Sequence, residues 1–204
     1  MPRCSYSILL LAAALATLPA QDGRWEPRPA ASYSNRLASE GVTVAVELFQ
    51  GHDKIKQAFP KTDLQKLGIL PVLVVIANDN DHALQLDRVR VQLITSDRQP
   101  INPTEAEDVL RTGRVQKPNL TPRPSPIPRI GRNPAGRRQS EQGEVGDREF
   151  VAPVIAAHAT AHGFFYFRLG KGPDRVSGAK FYLNGIRNAK TGKEILYFEI
   201  SLDR

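Results

Sequence analysis

Two histidines have the spacing that best suits metal chemistry in this chain. On a helix, His158 and His162 would lie on one face, where neighbouring imidazoles bind zinc. The surrounding residues, AAHATAHG, contain neither an adjacent glutamate nor a third ligand at a familiar distance, and His52 and His82 would join them only through the tertiary fold. A metal-dependent enzyme using His158 and His162 is therefore one alternative. A pair of loop histidines beside a strand is the favoured one.

A basic segment suits a second kind of chemistry, the binding of a polyanion. Thr112–Ser140 has six prolines, seven basic residues and no acidic residue, in a chain with a net charge of +7. Its cations would attract an anionic polymer. No aromatic side chains lie between them to stack on bases, which weakens single-strand recognition, and no sequence-specific nucleic-acid binding is expected. The candidate polyanion-binding residues are Arg114, Lys117, Arg123, Arg129, Arg132, Arg137 and Arg138.

The same basic segment has two further interpretations. Arg123–Arg129, with the sequence RPSPIPR, matches an extended polyproline ligand. A solvated loop stiffened by its prolines is the favoured interpretation.

Sequence patterns typical of other enzymes are missing. There is no Gly-x-Ser-x-Gly elbow to present a serine nucleophile. Gly170–Pro173, GKGP, lacks the glycine spacing of a phosphate loop and is typical of a turn. The acidic residues Glu105, Glu107 and Asp108 suit the first turn of a helix, where the helix dipole favours negative charge. We therefore expect no enzymatic activity and no cofactor.

The N-terminus indicates export. Arg3 precedes an apolar stretch, Ile8–Leu18, and a small residue, Ala20, ends the segment, which is the layout of a cleaved secretory signal peptide. An uncleaved anchor is the alternative. Cys4 is the only cysteine, so the mature chain would have no disulfide and no thiolate chemistry. We expect a signal peptide at residues 1–20, no transmembrane span after its removal, and a periplasmic or extracellular location.

The elements that would position these residues are mostly strands. Residues 21–40 are polar and rich in proline, which favours a flexible N-terminal arm, and residues 41–204 would form one domain. Strict alternation from Val42 to Leu48 predicts the first strand. Gly51–Ile69 is interpreted as a connection between two sheets rather than as part of a second core.

The stretch Leu70–Thr95 organises the predicted domain. Leu70–Ala77 is a nearly continuous apolar run, and Asn78–Asp81 supplies turn residues. Leu86–Thr95 then alternates between apolar and polar side chains, as a strand with one wet face does. The pattern predicts two strands joined by a turn.

A helix and a long insertion follow. Asn102 as the N-cap and Pro103 as the first helical residue predict a short helix, Pro103–Arg111. The Pro/Arg-rich insertion at residues 112–149 has too few apolar side chains to offset its ordering entropy, which predicts a disordered or extended loop.

Three further strands complete the chain. They are Gly163–Leu169, Lys180–Ile186 and Glu194–Leu202, and the last two flank a turn that contains Gly192. About six strands without a βαβ rhythm predict an all-β fold, an antiparallel β-sandwich with one or two short helices and a long disordered loop.

These strands carry a resemblance to a known class of domain. The segments GVTVAVE, ILPVLVVIANDND, GFFYFRL and LYFEISL resemble those of immunoglobulin-like β-sandwich domains in exported bacterial proteins, mostly uncharacterised. The chain departs from immunoglobulin domains proper because it lacks their paired cysteines and core tryptophan.

The resemblance implies a non-enzymatic binding or accessory role at the cell envelope. The partner would be an envelope protein or an anionic polymer. A polyanion-binding protein acting through the basic loop 111–138 is the first alternative, and the metal-dependent enzyme is the second.

Overall fold

Antiparallel strands dominate the fold. The computed structural model describes residues 25–112, 134–169, 176–195 and 197–202. Within these residues the helices are α1 His52–Ala58, α2 Ala106–Thr112 and α3 Pro134–Gly146, preceded by a 3-10 turn at Ala30–Ser32. The strands are β1 Arg36–Ser39, β2 Val42–Leu48, β3 Ile69–Asn78, β4 Leu84–Gln85, β5 Arg90–Ile94, β6 Pro100–Ile101, β7 Val154–Ile155, β8 Thr160–Arg168, β9 Lys180–Asn184, β10 Arg187–Asn188 and β11 Phe198–Ser201.

The described strands form three sheets. Sheet A has the order β1-β2-β3-β8, sheet C has the order β11-β9-β5-β6, and a small sheet B has the order β10-β4-β7. Every neighbouring pair of strands in these sheets is antiparallel. The prediction of a mostly β, antiparallel fold with few short helices is therefore confirmed.

The central strand β3 explains the apolar run seen in the sequence. It pairs with β2 on one side and β8 on the other, and nine of its ten residues are buried. A strand that is covered on both faces needs apolar side chains at every position rather than at alternate ones. The strands β3 and β5, predicted to be joined by a turn, lie in different sheets, A and C.

The first core, which we call the inter-sheet core, lies between sheets A and C. Alternate residues of β2 and β3 meet the inward residues of β5, β9 and β11 there. Its strand residues include Val44, Val46, Val72, Val74, Ile76, Phe167, Val91, Leu93, Phe181, Leu183, Phe198 and Ile200.

A second core, the helix-side core, covers the opposite face of sheet A. The intervening residues of β2, β3 and β8, among them Leu73 and Phe164, pack there against side chains from the helices and connections. The segment Gly51–Ile69 was expected to connect two sheets outside any second core, and this is wrong. It joins adjacent strands of sheet A and contributes Ile55, Ala58, Phe59 and Leu64.

Residues 25–39 are part of the fold, whereas the sequence predicts a flexible arm over 21–40. Strand β1 pairs with β2, and Tyr33 is only 3% exposed. The Trp25 ring lies 5.6 Å from the Phe49 ring and 5.3 Å from the Phe164 ring, measured between centroids. Aromatic contacts of this kind hold the segment against the helix-side core.

The helices also differ from expectation. Helix α2 begins at Ala106 rather than Pro103, because the Thr104 backbone N–H donates to the Tyr166 carbonyl at 2.7 Å and continues the sheet edge.

Helix α3 forms inside the stretch 112–149 that the sequence predicts to be disordered or extended. The Tyr166 hydroxyl donates to the Val145 carbonyl at 2.7 Å, and burial raises the pKa of this tyrosine. Contacts with the rest of the fold therefore stabilise α3, although its own sequence is not strongly apolar.

The ends of the domain agree in part with prediction. Strands β9 and β11 pair as a hairpin, as expected, and Gly192 has the positive φ of a turn residue, 69°.

Within the described ranges, no helix has both the length and the apolar character needed to span a membrane.

A glycine in β8 allows a close approach that can be tested. A Cβ atom on Gly163 would lie 2.5 Å from Cα of Phe150, whose backbone N–H donates to the Phe164 carbonyl. We expect Gly163→Ala to lower the free energy of unfolding by about 1–3 kcal/mol, the usual effect of overpacking. The matched control, Gly143→Ala in α3, meets no atom within 4 Å and should raise it by about 0.5–1 kcal/mol. Urea denaturation measures both, and equal stabilities would contradict the close approach.

Candidate functional site

The two histidines do not adopt the helical spacing considered for zinc. His158 lies in a turn with a positive φ of 54°, and His162 lies in β8 opposite Val75. The His158 ring nitrogen Nε2 lies 2.9 Å from the Asp81 carboxylate. In the part of the chain that the structure describes, no three or more His, Cys, Asp or Glu residues form a group that could hold a metal ion. The helix on which the zinc alternative depended is therefore replaced by a turn and a strand.

The basic residues lie largely outside the described residues. Five of the predicted polyanion-binding residues lie outside the described ranges: Arg114, Lys117, Arg123, Arg129 and Arg132. The predicted signal peptide at residues 1–20 lies outside them as well. The backbone of Arg137 and Arg138 lies in helix α3. The structure thus brings none of the predicted polyanion-binding side chains together in a described site.

The outer face of sheet C presents a different set of side chains. Inward residues of β5, β9 and β11 enter the inter-sheet core, so the alternate residues face outward. The register places Tyr182 between Gln92 and Glu199, and Asn184 opposite Arg90. We call this surface the outer face of sheet C; its residues are Arg90, Gln92, Ile94, Lys180, Tyr182, Asn184, Glu199 and Ser201, with Tyr197 at its edge.

Two stacked tyrosines mark a shallow cleft at this face. The rings of Tyr182 and Tyr197 are 5.5 Å apart between centroids and inclined by 27°. Tyr197 keeps 55% of its surface exposed, an unusual amount for a large aromatic residue. The cleft has a volume of about 230 Å³, and we call it the tyrosine cleft; it is lined by Tyr182, Asn184, Glu194, Ile195 and Tyr197.

Several polar groups around the tyrosine cleft are not used by the fold. The side-chain oxygen of Asn184 is buried and has no hydrogen-bond partner among the residues that the structure describes. Among the described residues, the Glu194 carboxylate and the Arg90 guanidinium make no ion pair or hydrogen bond, and neither do the hydroxyls of Tyr182 and Tyr197. Buried polar atoms are usually paired, so the unpaired oxygen of Asn184 distinguishes this site from the rest of the sheet.

The neighbouring charges are paired with each other. Lys180 Nζ lies 2.6 Å from Glu199 Oε1, and Arg187 Nη2 lies 2.8 Å from Asp87 Oδ1. The hydrogen bond from Arg187 lowers the pKa of Asp87. With these pairs neutralised, the unpaired Arg90 and Glu194 leave the surface around the cleft close to neutral.

Sequence reasoning missed this site, although part of the signal was present. Tyr182 lies in the predicted strand Lys180–Ile186 and faces outward, and an aromatic residue at such a position is a sign of a binding face. Tyr197 precedes β11 and meets Tyr182 only through the pairing of β9 with β11. Predicting this contact would therefore have required the register in which β9 and β11 pair.

Comparisons with known proteins give weak likenesses. No protein-family model matches the chain, and no curated protein matches it. The crystal structure of the yjhA protein of Bacillus subtilis is 12% identical, with a TM-score of 0.47, over 84% of this chain and 98% of that chain. A predicted lipoprotein of Bacillus subtilis, ycdA, is 15% identical, with a TM-score of 0.38, over 82% of this chain and 38% of that one. A conserved hypothetical protein of Bacillus anthracis is 9% identical, with a TM-score of 0.31, over 79% and 92% of the two chains. Likenesses at these TM-scores carry no conclusion about function.

Proposed function

We propose that the protein is an exported, non-enzymatic binding protein of the cell envelope, periplasmic or extracellular, built on an immunoglobulin-like β-sandwich. Its binding face is the outer face of sheet C, and its partner is a component of the envelope. The observation that carries this proposal is the exposed Tyr182–Tyr197 stack beside polar groups that the fold leaves unused.

A tyrosine pair of this kind suits binding for energetic reasons. Tyrosine supplies a large contact area with few rotatable bonds, so little conformational entropy is lost when a partner covers it. Tyr182 also supports the Tyr197 ring, which restricts its orientation before a partner arrives. Residues with these properties often contribute a large share of the binding energy at interfaces.

Binding without catalysis is the simpler interpretation of the cleft. Among the described lining residues, Glu194 is the single carboxylate, and the nearby Glu199 is held by Lys180. Hydrolysis of a glycosidic bond, for example, uses two carboxyl groups on opposite sides of the bond. The lining residues that the structure describes also include no serine or histidine for nucleophilic chemistry.

Export is tested by the N-terminus of the mature protein. When the full-length chain is expressed in a bacterium, we expect the protein recovered outside the cytoplasm to begin at Gln21, because a signal peptidase cuts after a small residue. Intact-mass spectrometry measures this. The variant Ala20→Lys should accumulate with residues 1–20 attached. A cytoplasmic protein that still begins at Met1 would contradict export.

Binding through sheet C is tested by retention on isolated cell envelopes. We expect the double variant Tyr182→Ala/Tyr197→Ala to be retained about tenfold less well or worse, because two central aromatic contacts are lost. Val151→Ala is the control, since Val151 is 73% exposed and lies outside sheet C. Equal retention of the wild type and the double variant would exclude this face.

A polyanion-binding role is the second candidate, and the composition of Thr112–Ser140 favours it. We expect retention on immobilised heparin to fall with salt, since such binding releases counterions. Replacing Arg114, Lys117, Arg123, Arg129 and Arg132 by glutamine should lower the eluting salt concentration. Tyr197→Ala leaves the charge unchanged and should elute with the wild type. If the glutamine variant elutes unchanged, the basic segment does not bind polyanions.

A further inference from the structure

Building on the binding face proposed above, we propose that the tyrosine cleft is a saccharide-binding subsite. One pyranose ring of a neutral glycan packs against the exposed face of Tyr197, and its hydroxyl groups bond to Asn184, Glu194 and Arg90. The inference names the class of ligand and depends on the outer face of sheet C being the binding face.

The aromatic stack suits the apolar face of a sugar ring. A pyranose presents C–H groups on its ring faces, and these polarised hydrogens are attracted to the negative face of an aromatic ring. Tyr197 offers such a face, because one side of its ring lies toward Tyr182 while 55% of the residue stays exposed.

The unused polar groups match the hydroxyl groups of a sugar. Each hydroxyl donates one hydrogen bond and accepts others, so a saccharide site needs both acceptors and donors. Glu194 supplies an acceptor, and Arg90 supplies donors opposite Asn184 in the register.

Charge and shape favour a neutral chain over an ionic ligand. Arg90 and Glu194 balance each other, and the nearby cations Lys180 and Arg187 are paired with carboxylates. A volume of about 230 Å³ is below the usual range for drug-sized ligands, so the cleft accommodates about one ring. Because the cleft opens onto the sheet face, further sugar units can extend along it.

The test is titration calorimetry of the purified full-length mature protein with two neutral hexasaccharides. One is a β-1,4-linked N-acetylglucosamine chain and the other a β-1,4-linked glucose chain. We expect at least one of them to bind the wild type. Its dissociation constant should rise about tenfold or more for Tyr197→Ala. For Tyr197→Phe, which keeps the ring, it should stay within about threefold of the wild-type value. Glu194→Gln should also weaken binding, because it removes the charged acceptor, while Val151→Ala should not. Circular dichroism checks that each variant is folded.

The failures of the two proposals are distinguishable. If neither hexasaccharide binds at about 10 mM, or if Tyr197→Ala binds as tightly as the wild type, the saccharide inference is overturned. If retention on envelopes then still depends on the tyrosines and is lost after the envelopes are treated with protease, the partner is a protein and the binding face stands. If retention does not depend on the tyrosines, both proposals are wrong.

Discussion

The burial of sheet A on both faces is the constraint on which the rest of the structure depends. Strand β3 directs Val72, Val74 and Ile76 into the inter-sheet core, and Leu73 and Val75 into the helix-side core. Apolar surface removed from water contributes about 25 cal/mol per Å², so neither face of this strand can be left open. Sheet C covers one face. The helices, the Gly51–Ile69 connection and the N-terminal segment cover the other.

This arrangement decides where a binding face can lie. Because β3 is enclosed on both faces, its residues are unavailable to a partner, whereas β5, β9 and β11 each bury one face and expose the other. Side chains on the outer face of sheet C can therefore be substituted without disturbing the packing of the inter-sheet core. The stacked tyrosines are placed on this face, and the inward residues of the paired strands β9 and β11 beneath them pack in the inter-sheet core.

Two asparagines show the difference between a structural and an available polar group. Asn78 is 1% exposed, and its amide donates to the carbonyls of His82 and Ala156, both at 2.8 Å, while its oxygen accepts from Asn80. This side chain is used fully to hold the turn after β3. Asn184 ends β9 with a buried oxygen that no described residue pairs. An unpaired buried acceptor is unfavourable for stability, so this side chain, unlike Asn78, is not fully used by the fold.

The sequence by itself determined the mostly β fold class and several of the strands, because runs and alternation of apolar side chains are local properties of the chain. It located β2, β3, β8 and β9 and the final hairpin, and its glycine and asparagine residues marked the turns. Only the tertiary structure decided that β3 and β5 lie in different sheets, that the Trp25 segment and α3 pack on a second core, and that His158 and His162 share no helix. It alone brought Tyr197 onto Tyr182 beside Asn184 and Glu194. The physical reason is that strand pairing and the stacking of layers depend on contacts between residues distant in the chain, which a local pattern does not specify.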